Sequence, residues 1–139
     1  MERRDLIKHQ IEQLGRVLGK ILADFLGMKS TGKVSQGIEI VNRQLDNVLG
    51  LNLDALLTLS EHELEAFFLN KNITAEQLET LSDLLKEIGE SKIEHHPDEA
   101  KTFLLKSGEL LDIADKITAT ASFIRMDKKR ALDTLLASI

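Results

Sequence analysis

Asp5–Leu26 reads DLIKHQIEQLGRVLGKILADFL, and its apolar residues Ile7, Ile11, Leu14, Leu18, Ile21 and Phe25 recur at alternating steps of four and three. Side chains at that spacing share one side of an α-helix, so the stretch predicts a helix with a buried face. Gly15, Gly19, Leu22 and Leu26 form a second strip beside the first. A mid-helix glycine costs about 1 kcal/mol relative to alanine, so two of them predict a neighbouring backbone packed close by. The helix is therefore expected to touch partners on two sides, with the rest of the chain arranged around it. Lys8, Glu12, Arg16 and Lys20 interrupt the apolar run. The stretch then reads neither as a membrane span nor as the core of a secretion signal, and the expected location is cytoplasmic.

Composition extends this reading. With 139 residues, 42% hydrophobic and 29% charged, the chain is too apolar for disorder and long enough for one domain with a core. We expect a single all-helical domain over residues 1–139. No segment alternates with a period of two, so strands have no place to form. The net charge of −5 speaks against nucleic acid as the main partner, because a phosphate backbone draws on clustered cations. Arg3, Arg4 and Lys8, and again Lys128, Lys129 and Arg130, are short basic groups that read as solvated faces. The absence of cysteine excludes disulfides, thiolate metal ligands and a cysteine nucleophile.

Beyond the first helix, Gly27 to Lys33 reads as a polar connection, with Gly27 as the left-handed residue that ends the helix. A second helix over Val34 to Leu49 carries Ile38, Val41, Leu45 and Val48 on its inner face and Glu39, Asn42, Arg43 and Asp46 outside, and stops at Gly50. Leu51, Leu53, Leu56, Leu57 and Leu59 are too dense for an exposed loop and predict one helical turn that plugs the end of this hairpin. Ser60 with Glu63, and Thr74 with Gln77, have capping-box spacing, so each opens a helix. The first carries Leu64, Phe67 and Phe68; the second carries Leu78, Leu81, Leu85 and Ile88 to about Ile93. Pro97, followed by Asp98 and Glu99, opens another, running through Gly108 to Thr118. A last helix covers Ser122 to Ala137. The fold class is all-α, with antiparallel hairpins in an array or bundle of about five to six helices.

Ala100, Ala114 and Ala131 fall where close helix contacts are expected on the last three helices. Small residues on paired helices resemble tetratricopeptide repeats, although the marker aromatic pair and terminal proline are missing, so the resemblance implies packing and no peptide groove. A second resemblance rests on Arg4-Asp5 with Ile7, Ile11-Glu12-Gln13-Leu14-Gly15, Ile21-Leu22, Gly50-Leu51 leading to Leu56 and Leu57, and Ser122-Phe123 with Arg125-Met126. In these the chain resembles an uncharacterised family of small all-helical bacterial proteins. That resemblance implies a bacterial, cytosolic, tetratricopeptide-like helical protein and supplies no activity.

Chemistry finds little purchase. Gly27, Gly32 and Lys33 have the spacing of a phosphate-binding loop, but Val34 stands where a hydroxyl must hold magnesium, and a helix precedes where a strand is required. His9, His62, His95 and His96 contain no pair one helical turn apart, so no metal site is expected. Glu61 with Glu65, Asp112 with Asp115, and Glu87 with Glu90 read as solvated acids near Lys86, Lys92 and Lys116. No charged residue is found on an apolar face, and no Gly-x-Ser-x-Gly elbow occurs. No catalytic, cofactor-binding or metal residue is assigned, and no cofactor is expected. The expected function is a non-enzymatic protein–protein interaction module that self-associates or binds another helical protein, with the first-helix seam as either core or interface. The alternative is a small-molecule-binding or regulatory protein with a pocket between helices.

Overall fold

The computed structural model describes residues 3–139 as seven helices, with no strand among the described residues: α1 (Arg3–Ser30), α2 (Val34–Leu49), α3 (Leu53–Thr58), α4 (Glu61–Asn70), α5 (Ala75–Lys92), α6 (Pro97–Thr118) and α7 (Phe123–Ala137). The count exceeds the expected five to six because the leucine-rich plug is a helix in its own right. The Asn52 side chain accepts the Ala55 N–H at 2.9 Å, and Asn42 Oδ1 accepts the Leu53 N–H at 2.8 Å. Asn42, assigned by spacing to the outer face of α2, thus holds the start of α3 instead.

Local chemistry sets most boundaries. Both capping boxes form, Ser60 with Glu63 and Thr74 with Gln77, and the Ser122 hydroxyl caps α7 by accepting the Arg125 N–H. The C-terminal ends of α1, α4 and α6 share a device in which a left-handed residue turns the chain and two N–H groups reach back to the last helical carbonyls. At α1 that residue is Gly32 (φ 77°), with Lys33 N–H donating to Met28 O at 2.8 Å; Gly27 lies within the helix. Asn72 (φ 58°) does the same after α4, and Ala119 (φ 54°) after α6.

The centre of the fold is the α5–α6 antiparallel pair, which overturns the expectation that everything is arranged around α1. Gly89 on α5 is the reason the two helices come so close. A Cβ there would lie 3.0 Å from Phe103 Cβ and 3.2 Å from the Ala100 carbonyl. Further along, Ser82 Oγ donates to Ser107 O at 3.0 Å and Ser107 Oγ to Ser82 O at 2.8 Å, so two buried hydroxyls bond across the seam. Phe103, Leu110 and Ile113 of α6 join the main core with α1, α2 and α5, while Leu104 and Leu111 turn to Leu132 of α7. Buried on two sides, α6 is the helix that the first was expected to be.

α1 packs against α2 and α5 through buried Leu18, Ile21 and Phe25, with Leu14, Val17 and Leu22 half-buried beside them. Of its second strip Leu22 packs against the core, but the two glycines admit no close neighbouring backbone. A Cβ at Gly19 would meet nothing within 4 Å, and one at Gly15 only the Gln77 amide nitrogen at 3.5 Å. The helix–helix glycine of this hairpin is Gly37 on α2, whose Cβ would lie 3.1 Å from the Phe25 ring. α2 accordingly buries Gly37, Val41, Leu45 and Leu49, and Val48 faces outward.

Candidate functional site

Three acid pairs that the spacing placed on solvated faces each hold a lysine that is not their neighbour in sequence. Glu87 and Glu90 of α5 receive Lys29 from the end of α1, at 2.8 and 3.4 Å. Asp112 and Asp115 of α6 receive Lys129 from α7, at 2.9 and 2.7 Å, and Lys116 of α6 lies 3.8 and 3.7 Å from Glu61 and Glu65 of α4. Burial opposes charge on Lys29, but the hydrogen bond and charge of Glu87, joined by Glu90, outweigh it and raise its pKa. Lys129 is raised likewise by Asp112 and Asp115 against burial. Burial pushes Asp115 upward, yet Lys129 and Arg125 overcome this and hold its carboxyl below the usual range. These acids tie helices together.

Two buried cations correct the expectation that no charge sits on an apolar face. Lys106 of α6 is 7% exposed and donates to Leu59 O at 2.7 Å and to Glu109. Arg125 of α7 is 5% exposed and donates to Asp115, to Glu79 at 3.5 Å, to Thr118 Oγ1 and to Thr120 O at 3.0 Å. The signal was present in the spacing. Lys106 follows Phe103 by three and precedes Leu110 by four, and Arg125 precedes Leu132 by seven. Both are held by protein partners, and neither lines the cleft at the α5–α6 turn.

Of the basic groups, Lys128 pairs with Asp83 at 2.7 Å, Lys129 with its two aspartates and Arg130 with Asp127 at 3.4 Å. Arg3, Arg4 and Lys8 stand exposed on the first two turns of α1. His9, His62, His95 and His96 are all exposed, and among the described residues no group of three His, Asp or Glu side chains is placed to hold a metal ion. Gly27, Gly32 and Lys33 belong to a helix end and its turn, so the phosphate-loop spacing has no cradle behind it.

Two surfaces remain with recognition chemistry. Residues 3–10 of α1 are exposed throughout, with Leu6 at 45% and Ile7 at 39%, because the end of α2 and the α4–α5 turn, through Val48, Lys71 and Asn72, border this part of the helix without burying it. The apolar seam therefore divides: its carboxy-terminal half is core and its first turns are uncovered. At the opposite end lies a cleft of about 520 Å³ between α2, α3 and the α5–α6 turn. Ile38, Leu53, Leu57 and Phe103 make its floor, and Glu39, Asp54, Glu99 and Lys92 its rim. Lys92 is bound to Glu99 at 2.8 Å, which lowers the Glu99 pKa, while Glu39 and Asp54 are exposed and make no ion pair among the described residues. Phe123, 85% exposed, and Ile124, 64% exposed, form a further apolar spot at the start of α7.

No helix of the described residues is long and apolar enough to cross a membrane. Compared with known proteins, the chain matches no family model, no curated protein and no solved structure. The bacterial family resemblance thus gains no support beyond the residues that prompted it, and what stands is a small all-helical protein of seven helices.

Proposed function

We propose that this protein is a non-enzymatic helical interaction module of the bacterial cytoplasm that works by helix-to-protein contact and self-associates. Its hairpins would stack as in tetratricopeptide arrays, with α5 and α6 as the rigid pair and α1 as the presenting helix. The observation that carries this reading is the division of the α1 seam. Ile7 continues the apolar spacing of Leu14, Leu18, Ile21 and Phe25 to the edge of the fold, where it stays 39% exposed beside Val48, Lys71 and Asn72, and Leu6 on the neighbouring face is 45% exposed. Apolar side chains in register on a rigid helix suit a groove on a partner, since the helix is already formed and little ordering entropy is lost.

The test is a photo-crosslinking residue placed at Ile7 in the native cell. Discrete protein adducts that disappear in the Leu6→Asp background support the reading, and absence of any protein adduct overturns it. The second reading, a small-molecule protein, draws on the cleft at the α5–α6 turn. A thermal-shift screen with metabolites, repeated on Glu39→Lys, tests it: a ligand must raise the melting temperature of the wild type and not of the variant.

A further inference from the structure

The uncovered turns of α1 and the cleft are complementary in chemistry and sit at opposite ends of the molecule. Residues 3–10 present Leu6 and Ile7 among Arg3, Arg4 and Lys8, three cations against the single acid Asp5. The cleft presents an apolar floor inside Glu39, Asp54 and Glu99, three carboxylates against a single lysine that Glu99 already holds. We infer that the first two turns of α1 dock into this cleft on a second copy of the chain, Leu6 and Ile7 on the floor and the cations against Glu39 and Asp54. The inference rests on the self-associating reading above and specifies its geometry.

The contact cannot close within one molecule. α1 is one helix of 28 residues, about 42 Å long, and its last turn is fastened beside the end of α5 by Lys29 to Glu87. Its first turns lie beside Val48 and Asn72, at the end of α2 and the start of α5. The cleft is built from Ser35 at the start of α2, Lys92 at the end of α5 and Glu99 at the start of α6. Helix and receptor therefore face away from each other, and an interface between different surfaces runs head to tail, propagating until a ring closes. The volume is within the range that receives a few buried side chains, and the unpaired carboxylates give it a preference for a cationic occupant. Because these acids do not converge, the occupant suited to them is wide and carries several separated charges.

Two variants test this, neither touching the core: Leu6→Asp with Ile7→Asp, and Glu39→Lys with Asp54→Lys. Sedimentation velocity on the full chain at low salt should show concentration-dependent species larger than a monomer, weakened by added salt. Each double variant alone should weaken association about tenfold or more while its circular dichroism and melting stay native. Mixed in equal amounts, the two should form a 1:1 dimer and nothing larger, since one retains a cleft and the other an intact helix end. Wild-type association that the cleft variant does not weaken overturns the inference and leaves self-association standing. So does a mixture that stays monomeric, because two like surfaces meeting would not complement. A wild type that is monomeric at every concentration overturns this geometry and self-association together, whereas Ile7 adducts to a different protein would still support the interaction module.

Discussion

Arg125, in the first turn of α7, donates its Nε–H to Asp115 of α6 at 2.5 Å, on the same carboxylate that accepts Lys129 from the next turn of α7. Its other donors reach Glu79 on α5 and the Thr120 carbonyl, so one planar guanidinium joins three elements.

Replacing this residue should therefore unlock α7. Arg125→Met is expected to cost about 2–4 kcal/mol, because Glu79 and the Thr120 carbonyl lose their donor while Asp115 keeps Lys129. Arg125→Lys should recover part of the loss, since the charge remains and the fork does not. Urea denaturation monitored by circular dichroism measures both, and an Arg125→Met midpoint equal to wild type would refute the assignment.

Gly19→Ala and Gly89→Ala should move stability in opposite directions. At Gly19 the added methyl meets open space, so the gain in helix propensity stands alone, up to about 1 kcal/mol. At Gly89 the methyl meets the Ala100 carbonyl and the Phe103 stem, and separating α5 from α6 should cost about 1–3 kcal/mol net of that gain. Thermal melts of the two proteins compared side by side provide the check; two shifts of the same sign would contradict the packing described.

Ala119 turns the chain after α6 at φ 54°, where a Cβ crowds the following carbonyl. Ala119→Gly should relieve this. The greater freedom of glycine in the unfolded chain offsets part of the gain, leaving about 0.5–1 kcal/mol of stabilisation. A lowered melting temperature would show that the turn is unstrained.

The inter-helix ion pairs give the stability a defined pH window. The Asp115 pKa is lowered in the fold, so its contribution is present above the unfolded value of about 3.9 and is lost as pH falls through the folded value. Lys29 and Lys129 are raised, so theirs is complete below about 10.4 and is lost as pH rises through the folded values. The melting temperature should stay level between about pH 5 and 9 and fall on either side. Asp115→Asn should lower the plateau and flatten part of the acid limb; a slope through neutral pH would place the controlling groups elsewhere.

Helix ends were legible to the residue where a side chain reports its own role, as Ser60 with Glu63 and Pro97 do, because a cap is a contact between neighbours in sequence. Gly27 misled because glycine allows a left-handed turn without requiring one, and the helix continued to Ser30 before Gly32 took the turn. The acid pairs were visible as pairs, but their lysines lie 14 to 61 residues away, beyond what local spacing can match. Lys106 and Arg125 stood in phase with apolar stripes and were still passed over, since in-phase charge betrays burial only when its partners are known.

The order of the helices, the capped boundaries and the all-α class follow from the amino-acid sequence alone, because propensity, capping and apolar period act within a few residues. Which helix lies at the centre was settled by tertiary packing. α1 has the most regular seam and α6 the deepest burial, and the difference comes from which faces find a neighbour. The uncovered first turns of α1 and the acidic cleft exist only because α2 is shorter than α1 and the α5–α6 turn stands away from α3, relations between distant segments that no local spacing encodes.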